Sequence, residues 1–265
     1  MADFLGSINP LYSVSGFVVG GLVGFTGVGG GALMTPLLVL LFGIAPTTAV
    51  GTDLLYAAIT KSGGTLVHAR NGTIAWRITL LLAAGSVPAT IATLRLLSWL
   101  GQSGGHAAKN GFVTTALGGA LILAAIFVLF RGWLLEHIAA EARGLSDRRT
   151  DVATILLGAL LGVMVSATSV GAGSIGMTIL LGLYPRMATA KLVGSDIAHA
   201  VPLTFVAGMG YLVAGAIDWA LLVSLLVGSL PGIAIGSHFV AKSRERYVRP
   251  VLAGVLTLVG AKLLM

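Results

Sequence analysis

The chain has no cysteine among its 265 residues, and Asp and Glu together contribute only 9. The first absence excludes disulfides, thiolate metal sites and cysteine nucleophiles, and leaves the redox compartment open. Charged residues of both signs make up 9% of the chain while 56% is hydrophobic, and the mean hydropathy is +0.99. So little charge cannot cover the surface of a soluble domain, which makes this an integral membrane protein with the lipid bilayer as its solvent. The alternating pattern of a membrane β-barrel is missing too, so the spans are helical. No Lys or Arg precedes the first apolar run, so a cleavable signal peptide is not expected and the chain is expected to begin near Met1. A net charge of +7 would suit a nucleic-acid binder. The basic residues sit between apolar runs, however, where the positive-inside rule puts them, and no nucleic-acid partner is expected.

What is present is the same sequence pattern twice. Thr26 to Leu33 reads TGVGGGAL and Thr168 to Ile175 reads TSVGAGSI, 142 positions on. After a slip of one residue, Gly51-Thr52-Asp53 returns as Gly194-Ser195-Asp196, Gly72 to Trp76 as Gly215 to Trp219, and Gly85 to Pro88 as Gly228 to Pro231. Gly16, Gly20 and Gly24 correspond to Gly158, Gly162 and Ser166. A period this long is no solenoid; in a hydrophobic chain it predicts a transporter made of two inverted-topology halves.

Apolar stretches lie near residues 11–27, 32–43, 47–69, 77–99, 111–131, 152–167, 174–184, 190–213, 218–241 and 247–265. They predict an all-α fold with about five segments per half: residues 1–132, then a charged linker 133–151, then 152–265. Each half opens on a short pair of runs around a glycine-rich turn, read as a broken or re-entrant hairpin, because about 12 residues at a rise of 1.5 Å cannot cross the bilayer. Twelve Lys and Arg, from Arg70 to Arg249, collect on the linker side, and only Arg95, Lys109 and Lys262 on the other. This bias predicts a cytoplasmic linker and outward-facing termini in the cell membrane.

Ionisable residues inside the spans are few, and each is costly unless it faces the bundle interior or water. The third span carries Asp53 and Lys61, with Thr52 beside them; the eighth carries Asp196 and His199, with Ser195. Lys61 and Asp196 lie at similar depths, roughly 12 and 9 Å from the linker-side ends of their spans, which predicts an ion pair across the halves. Asp53, Asp196 and His199 are the candidates for proton exchange or ion pairing. The turns at Gly29, Gly30 and Gly31 and at Gly171, Gly173 and Ser174 would expose backbone N–H groups at the positive end of a helix, a setting suited to an anion. Lys61, Thr52 and Ser195 complete the candidate substrate site. No paired metal-ligand motif, Walker lysine or HExxH sequence is present, so neither a metal nor another cofactor is expected.

At the early GVGGG turn, the AVGTD start of the third span, the HARNGTIAWR loop and their counterparts, the chain resembles the sulfite exporter TauE/SafE family of membrane transporters. The resemblance implies two homologous halves and movement of a small anion, either sulfur-containing, such as sulfite or sulfoacetate, or a carboxylate. The reading is a secondary transporter rather than an enzyme, an exporter working by alternating access, with proton coupling and a homodimer left open. An anion channel is the alternative, and an intramembrane hydrolase a more distant one.

Overall fold

The computed structural model describes residues 10–26, 31–142, 144, 146–239 and 245–265. These residues form helices α1 (Pro10–Thr26), α2 (Gly31–Leu40), α3 (Pro46–Arg70), α4 (Trp76–Leu129), α5 (Arg131–Ala142) and α6 (Asp147–Thr168), then a π-helical segment (Ala172–Gly176) leading into α7 (Met177–Leu183), and finally α8 (Thr189–Val213), α9 (Trp219–Phe239) and α10 (Glu245–Leu264). No strand occurs among the described residues. α4, α6 and α8 are long and apolar enough to cross a membrane.

α4 is two arms rather than one rod. Gly105, with φ 71° and ψ −173°, leaves the helical region, and Leu97 and Val113, on opposite sides of it, join one buried cluster. The predicted spans 77–99 and 111–131 are these arms. A side chain at Gly105 meets no neighbour, yet that backbone conformation belongs almost solely to glycine. Gly105→Ala is expected to destabilise the protein by about 1–3 kcal/mol, read as a lower melting temperature in detergent, whereas Gly119→Ala, in open helical space, changes little.

The linker is structured. α5 crosses its predicted boundary and has no buried residue, but it rests on α7: a Cβ placed at Gly182 would stand 2.5 Å from Ile138. α6 begins at Asp147, where Arg77 of α4 pairs with Asp151 at 2.5 Å.

The two halves make matching contacts with their roles exchanged. α1 packs on α9 as α6 packs on the first arm of α4, and α3 packs on α8. Glycine permits the close approach in each case. A Cβ at Gly20 would lie 2.6 Å from the Ser229 carbonyl oxygen, and one at Gly162 2.5 Å from that of Ser86. Gly16 likewise meets the Leu225 backbone and Gly158 that of Leu82, while Gly228 closes on Ser13 and Gly85 on Ile155. Every partner in one half is the repeat counterpart of the partner in the other.

The loops after α3 and α8 obey the same rule. Each helix ends in a Schellman motif with a left-handed glycine, Gly72 (φ 64°) or Gly215 (φ 66°). Thr73 N–H donates to the His68 carbonyl at 3.0 Å and Ala216 N–H to that of Tyr211 at 2.9 Å. The loop then crosses to the start of the other long helix. The Thr73 carbonyl abuts Gly194, and the Ala216 carbonyl abuts Gly51. Two residues further on, the Ala75 N–H donates to Ser195 Oγ at 2.8 Å and the Asp218 N–H to Thr52 Oγ1 at 3.1 Å.

Candidate functional site

The long helices α3 and α8 bring polar faces to the interior. Thr52, Asp53 and Tyr56 of α3 and Ser195, Asp196 and His199 of α8 are all buried. Thr52 and Ser195, expected at the substrate, each use their hydroxyl to hold the other half's loop. That contact fixes the position of the aspartate one residue later in each helix.

Asp53 is fully buried. Its Oδ2 accepts a hydrogen bond of 2.6 Å from Thr35 Oγ1 of α2, and its Oδ1 has no partner. Ser169, in the break of the second half, lies beside the same carboxyl group, with its own hydroxyl unpartnered. Asp53 thus connects α2 of the first half with the break of the second. A buried carboxylate stripped of a donor is costly, so Thr35→Val is expected to lower stability by about 1–3 kcal/mol. Asp53→Asn in the same background should recover part of that loss, measured by thermal unfolding in detergent.

Asp196 makes no hydrogen bond through its buried Oδ1. The end of the π-helical segment lies against it: a Cβ at Gly176 would stand 3.5 Å from that oxygen. His199 is fully buried and bonds through Nε2 to Ser86 Oγ at 2.9 Å, leaving Nδ1 without a partner. Its repeat counterpart is Tyr56, which faces Ser229, the counterpart of Ser86.

Lys61 is half-buried on α3, within electrostatic reach of both Asp196 and Asp53. The expected Lys61–Asp196 ion pair is not formed as a direct contact: among the described residues neither side chain has an ion-pair partner within 4.0 Å. Matching depths brought the groups to one level of the bundle, but Asp196 Oδ1 turns toward Gly176.

The second glycine-rich turn is a break in the helix. Ser169 sits at φ 60° and Gly171 at φ 128°, and Thr168 Oγ1 accepts the Val170 N–H at 3.1 Å. Beyond it, Ile175 N–H and Gly176 N–H share the Gly171 carbonyl at 3.0 and 3.1 Å, winding the chain into the π-helical segment that holds Gly173 and Ser174. Ser174 Oγ is buried and unpartnered. In the first half, Gly31 is the first residue of α2; Gly29 and Gly30 lie outside the described residues.

Buried side-chain atoms without partners therefore concentrate here, on Asp53, Tyr56, Ser169, Ser174, Asp196 and His199. Such groups each cost roughly 1–3 kcal/mol, and natural proteins keep few of them. Together they offer acceptors and donors that a small polar molecule would satisfy. None of these six residues lines the cavity of about 320 Å³ at Arg77, Asp151, Tyr184 and Arg186 or the one of about 620 Å³ beside Arg95, Lys109 and Tyr211. No group of three or more metal-ligating side chains occurs among the described residues. Thr35 and Ser86 are absent from the sequence-derived site. The Met34-Thr35 pair, repeated as Met177-Thr178, was a usable signal for the first.

Residues 12–263 match the family described as Sulfite exporter TauE/SafE. The chain is similar to the probable membrane transporter protein YjnA of Bacillus subtilis, 38% identical over 94% of this chain and 97% of that protein. It is also similar to YdhB of the same organism, another probable membrane transporter protein, 31% identical over 91% and 97%. A probable membrane transporter protein of Methanocaldococcus jannaschii is 26% identical over 97% and 95%. No solved structure matches the chain.

Proposed function

Because the chain belongs to the TauE/SafE sulfite exporter family of membrane transporters, we propose that it carries a small anion across the membrane by alternating access, binding it at the cluster between α3, α8 and the two helix breaks. The substrate is a sulfur-containing oxyanion such as sulfite or sulfoacetate, or a small carboxylate, and the physiological direction is outward. The observation that carries this reading is the set of unpartnered, buried polar atoms contributed by both halves to one place.

In this mechanism Lys61 supplies fixed positive charge. The amides opening the breaks, at Gly29, Gly30 and Gly31 and at Gly171, Gly173 and Ser174, donate to the anion's oxygens. Thr52 and Ser195 keep the aspartates in register. Two carboxylates and one ammonium group together would repel an anion, so Asp53 or Asp196 takes up a proton when the substrate binds and releases it on the other side, with His199 as relay. The matching contacts of the halves support an inverted repeat, in which α1 and α9 rock against α6 and α4, with the linker and α5 in the cytoplasm and the termini outside.

Uptake of radiolabelled sulfite, sulfoacetate and small carboxylates into proteoliposomes, with and without an imposed pH gradient, tests the proposal. Saturable flux that the gradient accelerates is the expected result. Flux that does not saturate would replace the carrier with a channel, and no flux of any of these anions would overturn the substrate class.

A further inference from the structure

The cavity at the bend of α4 is separate from the central cluster and has its own chemistry. It measures about 620 Å³ and is walled on one side by Ile91, Leu94, Met209 and Val213. The polar groups lining it are Arg95, Ser98, Gln102, His106 and Lys109, with Tyr211 as its floor and no Asp or Glu. Of the three Lys and Arg residues that the sequence places on the side opposite the linker, two therefore line a single cavity. On a side where basic residues are scarce, two of them in one cavity without a counter-ion among the described residues call for a ligand.

The fold holds Lys109 and Tyr211 in place, while Arg95 and His106 are exposed at the cavity mouth. The left-handed Gly105 folds the arms of α4 together, and Lys109 crosses back over the first arm, its Cδ 3.4 Å from where a Cβ of Gly101 would be. Its ammonium group lies over the Tyr211 ring, 5.9 Å from the centroid, a favourable cation–π placement. Tyr211 is anchored beneath it: its ring is 1% exposed, and its hydroxyl donates to the Ser166 carbonyl at 3.0 Å. Arg95 brings a planar fork of donors suited to an oxyanion, and Trp99, largely exposed one turn away, marks the interfacial level of the bilayer.

We propose that this cavity is an anion-binding site for a tetrahedral oxyanion group, held by Arg95, Lys109 and His106 over the Tyr211 floor. The group is either a free solute such as sulfate or the phosphodiester head of an anionic lipid, whose chains would follow the apolar wall. The proposal does not depend on transport.

Equilibrium binding of radiolabelled sulfate to protein in zwitterionic phosphatidylcholine nanodiscs, together with native mass spectrometry after exposure to phosphatidylglycerol, tests it. The expected result is binding of sulfate, of phosphatidylglycerol or of both that weakens at least about tenfold in the Arg95→Gln/Lys109→Gln double variant. It should return in the charge-keeping exchange Arg95→Lys/Lys109→Arg. Phosphatidylglycerol that displaces sulfate assigns the site to a lipid head, and sulfate binding that the lipid leaves unchanged assigns it to a solute. Binding of neither probe to the wild type, or binding equal in the wild type and the double variant, overturns the proposal.

Discussion

Lys61→Ala is expected to abolish saturable, gradient-driven anion flux in proteoliposomes, with a loss of at least about 100-fold in kcat/KM, or about 2.7 kcal/mol of transition-state binding. Among the described residues Lys61 has no ion-pair partner within 4.0 Å, and it sits within electrostatic reach of Asp53 and Asp196, so its charge is available to a substrate rather than committed to a structural pair. Lys61→Arg keeps the charge in a larger, planar head and should retain part of the flux. The alanine variant should fold, because no described hydrogen bond of the side chain is lost; the bond from Thr65 Oγ1 at 2.9 Å goes to the Lys61 carbonyl, which the variant keeps. Unchanged flux would return Lys61 to a supporting role, and unfolded protein would show that its charge balances the buried carboxylates.

Gly85→Ala and Gly228→Ala are each expected to eliminate properly folded protein. A methyl group at Gly85 would run into the Ile155 carbonyl, and one at Gly228 into the Ser13 carbonyl. In both cases the obstacle is backbone in an adjoining helix, so the whole helix pair must separate. Overpacking of this kind costs at least about 3 kcal/mol, and here it acts where α4 meets α6 or α9 meets α1, the most extensive helix pairings in the molecule. Size-exclusion profiles in detergent should lose the monodisperse peak in both variants and keep it in Gly119→Ala, which has no neighbour to meet. Equal damage from the two substitutions would also follow from the exchanged roles of the halves; if one were tolerated, the two interfaces would differ in how far they can open.

Much of this architecture was legible in the sequence because lipid imposes long apolar runs and internal duplication repeats them. Gly51 and Gly194 show why the duplicated glycines were informative: each admits a carbonyl from the opposite loop, Ala216 or Thr73, which no other residue would allow. Thr52 and Ser195 show the limit. Their place in the repeat was evident, but a hydroxyl next to an aspartate reads equally well as a substrate ligand, and only the fold reveals the backbone N–H groups that occupy them. The Thr35–Asp53 contact and the Ser86–His199 contact escaped for a similar reason. Each joins residues whose proximity depends on how helices cross, and hydropathy carries no information on crossing. The end of α4 near Leu129 and the start of α5 at Arg131 blur the linker boundary, because the helical pattern continues where the charge begins.

The exchange of partners between halves also governs the order in which the chain can be completed. α1 is made before the surface it fits, around Leu225, Gly228 and Ser229 of α9, which follows roughly 200 residues later, a separation that marks slow-forming contacts. Neither half contains its own mate for its opening helix. Two fragments divided between α5 and α6 and synthesised in one membrane are therefore expected to copurify, since the partner surface that α1 or α6 lacks within its own fragment is carried by the other.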